Sequence, residues 1–124
     1  IAFVIDFSSI TKAIAELDAA GKAADASADR VAAAGDAGAA TKMSEALTQV
    51  ERAFLNPQGL PGRPWFKHEL IGPGLTTGYA PWPFPSLREA VEKKDAAMFD
   101  VEARKIVAAI NAGTAKLKAA AAIR

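Results

Sequence analysis

The chain has 124 residues, enough for one domain with a real core and too few for two. Its 15 basic and 14 acidic residues leave a formal net charge of +1, so the basic excess expected of a phosphate-backbone binder is missing, which argues against nucleic acid as a partner. The absence of cysteine removes disulfides, thiolate metal sites and thiol nucleophiles, and no apolar run approaches the roughly 18 residues of a membrane span.

Apolar residues make up 51% of the chain, but nearly half of them are alanine. Alanine favours helix strongly and buries little area, so the helices are expected to pack closely with modest stabilisation from each. The opening IAFVI is too short for a signal-peptide core and has no basic flank or cleavage site. A short extended stretch fits Ala2 to Ile5. A start on Ile1 rather than methionine suggests a piece of a longer polypeptide.

From Asp6 to Ala34 the residues Ile10, Ile14, Leu17, Gly21, Ala24, Ala28 and Val31 recur at helical spacing, which predicts a first long helix. Asp6, Ser8 or Ser9 can cap its start. Gly21 costs roughly 1 kcal/mol against alanine in a helix interior, and on the apolar stripe it offers a place for a neighbouring helix to come close or for the helix to break. GDAG at 35–38 reads as a turn. A second helix follows to about Leu55, with Met43, Leu47, Val50 and Phe54 on one face. Ser86 opens a short third helix that ends near Lys94, and SLRE fits a capping box in which Ser86 caps forward and Glu89 reaches back. Asp95 caps the last helix, which carries Phe99, Ala103, Ile106, Ile110, Gly113 and Leu117 on a stripe and runs to about Ala122.

Between Asn56 and Pro85 lie all seven prolines, five of the nine glycines, both tryptophans, the sole tyrosine and the sole histidine. Proline removes a backbone donor and pushes its predecessor out of the helical region, so the segment is not helix. A segment of that length without regular structure points to a functional loop or to disorder. Its Trp65, Phe66, Tyr79, Trp82 and Phe84 argue against disorder and are expected to fasten the arm to a surface. The fold class expected is all-α: a bundle of three long helices and one short one, with a long ordered Pro/Gly/aromatic loop between the second and third helices, in a single domain over 1–124.

Little in the chain points to chemistry of its own. His68 has only Glu69 nearby as a possible fellow metal ligand, short of the companions a metal needs. Neither a nucleophile elbow nor a phosphate-cradling glycine loop occurs. Glu16, Asp18, Glu45, Glu51, Glu89 and Glu92 fall among lysines and arginines, as solvated helix faces do, although Glu51 and Arg52 could instead anchor the first turn of the arm. No catalytic residue and no cofactor is therefore assigned to the chain itself.

The stretch ERAFLNPQGLPGRPWFKHELIGPG, followed by GYAPWPFPSLREAV, resembles the C-terminal helical domain of the transferrin receptor and glutamate carboxypeptidase family. The likeness runs from Asp6 through the last helix and is most specific over Glu51 to Ala90. It implies a dimerisation domain from a larger protein, whose arm lines the substrate pocket of a peptidase domain that holds two zinc ions with residues absent here. It implies homodimer formation through the helices, a peptide substrate in the parent and an extracytoplasmic location.

By resemblance, Tyr79 matches the tyrosine of the family's Lys-Tyr-Ala stretch, which binds the substrate's terminal carboxylate. His68 matches a histidine close to the active site, with Lys67 where the family has arginine and Gly72–Pro73 where it has Ala-Pro. The departures are Gly78 at the carboxylate-pairing lysine, Ile71 at a tyrosine, and Glu69 at an aliphatic position. Loss of a charge-assisted donor weakens a carboxylate pocket by about 1.5–3 kcal/mol, so preference for a glutamate end is in question. A domain of a catalytically inactive receptor-like relative and a free-standing helical interaction module are the alternatives.

Overall fold

The computed structural model describes residues 3–76 and 79–124. Among them the order is α1 (Ser8–Ala34), α2 (Ala37–Arg52), β1 (Ile71–Pro73), β2 (Pro81–Pro83), α3 (Pro85–Glu92) and α4 (Ala96–Ala121). The fold is mostly helical, as expected, with one small two-stranded ribbon that the sequence reading did not anticipate. The described residues fall into two compact units, one formed by 1–10 with 54–109 and the other by 11–53 with 110–124.

The second unit is built from helices alone. Ala24 and Val31 of α1, Ala39 and Met43 of α2 and Ala120 of α4 form its core cluster, with Leu117 and Ile123 packed against it. The small turn at Gly35 and Asp36 returns α2 antiparallel to α1, as a short connection dictates. Asp36 caps α2, its Oδ1 accepting from the backbone N–H groups of Gly38 and Ala39 at 2.8 and 3.2 Å. The last part of α4 runs parallel to α1. Gly21 lies beside Leu117 and Ser27 beside Ile123, the same offset at both places. Ser27 is fully buried and donates its hydroxyl to the Ile123 carbonyl at 2.7 Å, which satisfies a carbonyl just past the helix end.

α1 passes through Gly21 without a break. A methyl group built there would stand 3.9 Å from Leu117 Cδ1, an ordinary contact, so close helix approach does not demand glycine. The buried face of α1 runs through Ile10, Ala13, Ala20, Ala24, Ser27 and Val31, while Ile14 is exposed. Of the expected stripe, Ile10, Ala24 and Val31 are buried and Leu17, Gly21 and Ala28 half-buried; Ile14 departs from it, with the small Ala13 turned inward instead. On α2, Met43 is buried and Leu47 is exposed.

In the other unit α3 starts one residue earlier than expected and without a capping box. Phe84 occupies the cap position in the left-handed region (φ 46°) with no side-chain cap, and Pro85 takes the first turn, where its missing N–H costs nothing. Ser86 Oγ is buried without a hydrogen-bond partner and Glu89 is turned elsewhere. Asp95 does cap α4, accepting from Met98 N–H at 2.9 Å. The predicted α4 stripe is buried at Phe99, Ala103, Ile106 and Ile110, and Phe7 meets Phe99 edge-on with ring centroids 5.4 Å apart. Asp6 accepts from Ser8 N–H at 2.9 Å at the head of α1, a bond that holds its carboxyl below the usual carboxylate range. Phe3 to Phe7 form no strand, and Ala2, where the extension was expected to begin, lies outside the described residues.

Two substitutions test this packing. Gly21→Ala is expected to raise stability by about 0.5–1 kcal/mol, through helix propensity alone, as read by denaturant unfolding; destabilisation would show that the helices cannot take the methyl. Ile106 is fully buried, so Ile106→Ala should cost about 2–5 kcal/mol in the same measurement.

Candidate functional site

The arm is ordered by its own turns. Asn56–Gly59, Leu60–Arg63 and Arg63–Phe66 each close with a hydrogen bond from the last residue's N–H to the first residue's carbonyl, at 2.9, 3.1 and 3.0 Å. Each has proline in second place, where its fixed φ prepares a β-turn. In the first, Asn56 Oδ1 also accepts from Gln58 N–H. In the second, Gly62 follows Pro61 with φ 72°, the positive value a type II turn requires. Gly59 must be glycine: a Cβ there would stand 2.2 Å from the Pro64 carbonyl oxygen. The limbs then pair back on each other, with Asn56 N–H on Lys67, Leu60 N–H on Phe66 and Glu69 N–H on Phe54 at 2.7, 2.8 and 3.0 Å.

Beyond these turns, β1 and β2 pair antiparallel with Ile71 opposite Pro83, Gly72 opposite Trp82 and Pro73 opposite Pro81. Phe84 N–H donates to the Leu70 carbonyl at 2.8 Å, so by alternation Gly72 and Trp82 are the next bonded pair. The three prolines fall at positions whose polar groups point outward, where an absent N–H breaks no ladder bond. This placement lets so proline-rich a segment hold a ribbon.

Of the arm's aromatic rings, Trp82 and Phe84 are half-buried, with Trp82 under the Arg88 guanidinium, while the other three do not fasten it. Trp65 is 69% exposed, Phe66 41% and Tyr79 wholly exposed. What holds the arm is Leu60, almost fully buried beneath Gly72, and two buried charged groups. Arg63 is 3% exposed. Its Nε and Nη2 donate to the Pro73 carbonyl at 3.1 and 3.0 Å, and Nη1 donates to the Pro61 carbonyl. Nη1 and Nη2 also meet the two carboxylate oxygens of Glu89 on α3. Glu89 is buried, contrary to the expectation of a solvated helix face, because Arg63 pairs with it there. Glu16, Asp18, Glu45, Glu51 and Glu92 are exposed as expected.

Glu69 is the second buried anchor. Its Oε1 accepts from Asn56 Nδ2 at 2.7 Å, while Oε2 is buried without a hydrogen-bond partner. Burial pushes its carboxyl above the usual range, and the charge of buried Glu102 adds to the rise. Asn56, Lys105 and His68 oppose it. Glu102 accepts from Lys105 Nζ at 3.0 Å.

The sequence-derived site residues separate. His68 is partly buried with its ring 5.8 Å from that of Phe54. Its Nδ1 accepts from the backbone N–H groups of Leu70 and Ile71 at 3.2 and 3.3 Å, which orients the ring and leaves the hydrogen on Nε2. Tyr79 lies in the connection between β1 and β2 with its ring free of neighbours, so the structure does not bring it against His68. Gly78 lies outside the described residues. Lys67 donates to the Pro57 carbonyl at 2.6 Å. An open cavity of about 380 Å³ sits on the arm, between Trp65 and Phe66 on one side and Pro73 to Thr76 on the other, with Gly62 and Arg63. Among the described residues no three His, Cys, Asp or Glu side chains group to hold a metal ion, and no helix is long and apolar enough to cross a membrane.

The buried anchors Arg63, Glu69 and Glu89 were missed as site-forming residues. The signal for Arg63 is its place between two proline-led turns, which curl around it; nothing in sequence gives the direction of its side chain.

The sign of the Glu69 effect follows from its raised pKa. Protonated Glu69 is favoured in the fold, so its contribution to stability is present below its unfolded value and is lost as pH rises through the folded one. Thermal unfolding between about pH 4 and pH 8 should show this decline, starting near the ordinary carboxylate range, and Glu69→Gln should flatten that part of the profile.

Comparison with known proteins places this architecture. The family model described as the transferrin receptor-like dimerisation domain matches residues 5–118. A probable glutamate carboxypeptidase of Arthroderma benhamiae is 46% identical over 41 residues, 33% of this chain and 6% of that protein. A probable glutamate carboxypeptidase of Arabidopsis thaliana is 33% identical over 88 residues, 71% of this chain and 12% of that protein. A Schizosaccharomyces pombe protein named as an inactive zinc metalloprotease is 35% identical over 65 residues, 52% of this chain and 8% of that protein. The chain thus matches only a small part of the length of these relatives. With its helices, its proline-turn arm and a match over nearly its whole length, the chain belongs to the transferrin receptor-like dimerisation domain family.

Proposed function

We propose that this chain is the dimerisation domain of a zinc-dependent exopeptidase-like protein, in which it pairs two copies through its helices and holds the arm beside the substrate pocket of the parent's peptidase domain. The observation that carries this reading is the build of the arm. Three proline-led turns, an obligatory glycine and a buried arginine hold it in one conformation, while Trp65, Phe66, Leu75 and Tyr79 face outward. A limb ordered at this cost with an apolar outer face is suited to lie against another surface. The family match and the relatives named as glutamate carboxypeptidases support the choice of a peptidase as that neighbour.

In this reading the chain's own residues bind and orient substrate. The Tyr79 hydroxyl donates to the terminal carboxylate of a peptide. His68, held by two backbone donors on Nδ1, presents a fixed tautomer at the root of the ribbon. The described residues offer no metal-ligand group, so zinc would be held by the peptidase domain, and no step passes through it here.

A second reading, a parent without activity, is favoured by Gly78 standing where the resemblance places a carboxylate-pairing lysine and by the relative named as inactive.

Tyr79→Phe in the full-length parent separates these readings. The first expects kcat/KM to fall by about 10- to 100-fold, as loss of one hydrogen bond to a charged group predicts, with the dimer unchanged by sedimentation. Unchanged kinetics would remove Tyr79 from the pocket, and a wild-type parent without peptide turnover would favour the second reading.

A further inference from the structure

We propose that Arg63 is the positioning residue of the arm: its forked donors on the Pro73 carbonyl set where the ribbon lies and, through it, how Tyr79 is presented. The consequence for Tyr79 rests on the reading that the arm borders a substrate pocket; the anchoring itself does not.

The argument starts from the ribbon's weakness. It has three residues in each strand, three of the six being prolines. Such a pair is not stable alone in water. Pro73 ends β1 opposite Pro81, at a non-bonded position of the ladder, and its carbonyl points away from β2. Arg63 supplies two donors to that outward carbonyl, so it takes the place that a third strand would fill.

The same guanidinium is tied to Pro61 on the preceding turn and to Glu89 on α3. Arg63 therefore couples turn, ribbon edge and helix in one planar group. Lysine cannot substitute, because a single ammonium does not span a carbonyl and a carboxylate in this fork geometry. On the far strand, Trp82 is covered by the Arg88 guanidinium at 3.8 Å from the ring centroid, but Arg88 is half exposed and also pairs with exposed Glu92. Arg63 is the buried anchor of the two.

The test uses Arg63→Lys in the full-length parent, with hydrogen exchange and steady-state kinetics on a dipeptide ending in glutamate as probe. The amides of Gly72, Trp82 and Phe84 are expected to exchange at least about tenfold faster, while those of Phe99 to Ile106 keep their protection. KM is expected to rise several-fold with kcat held within about twofold. Unchanged ribbon exchange overturns the proposal, and so does equal acceleration in Ile106→Ala, a core variant that leaves the fork intact. A loosened ribbon with normal KM, while Tyr79→Phe is impaired, overturns the link to Tyr79 and leaves the pocket reading standing. If neither variant alters kinetics, the pocket reading falls, and with it the consequence for Tyr79. Should Arg63→Lys fail to fold, Glu89→Gln serves in its place: it keeps the fork on Pro73 and is expected to lose stability with ribbon protection retained, and ribbon loosening in it overturns the proposal.

Discussion

The buried guanidinium of Arg63 is the constraint around which the arm is arranged. An arginine taken out of water is tolerated only when its charge is paired and its N–H groups meet acceptors, since several kcal/mol of hydration are lost. Here the acceptors are two backbone carbonyls and one carboxylate, contributed by a turn, a ribbon edge and a helix. No rearrangement of one element leaves the others satisfied. The surrounding features follow from this requirement: Gly59 lets the turn close over Pro64, and Gly62 gives the positive φ that brings the chain back at Arg63. Glu89 is drawn from what would be a solvated helix face into the interior.

The helical unit solves a different problem with different means. Alanine-rich helices bury little area per residue, so their stability depends on close and extensive contact rather than on a few large side chains. Ala24, Val31, Ala39, Met43 and Ala120 supply that contact. A small buried polar link, Ser27 to the Ile123 carbonyl, defines the register of α4 against α1.

Order in the arm comes mainly from inward-facing Leu60, Arg63 and Glu69, which leaves Trp65, Phe66 and Tyr79 outward. Rings that would ordinarily be spent on packing are thereby available for a neighbouring surface. Tyr79, wholly exposed, contributes nothing to the arm's own stability. Under the proposed function its contacts are made with the peptidase domain rather than within the arm.

Helix positions, the turn at 35–38, the cap at Asp95 and the α4 stripe were legible in the residues themselves, because helical periodicity and capping are local and repeat over many positions. So was the non-helical arm, since each proline acts on its own neighbours. The family resemblance was carried by the arm's motif. The depth of each side chain was not legible. Ile14 is exposed where Ala13 is buried, and Glu89 is buried beside Arg63, because partners distant in sequence decide which face turns inward. The ribbon was hidden for the same reason: its strands are short, and its register depends on Leu70 meeting Phe84. Local sequence determined which segments could be helix, turn or neither; only the tertiary structure decided which charges could be buried, because a buried charge depends on acceptors brought together from separate parts of the chain.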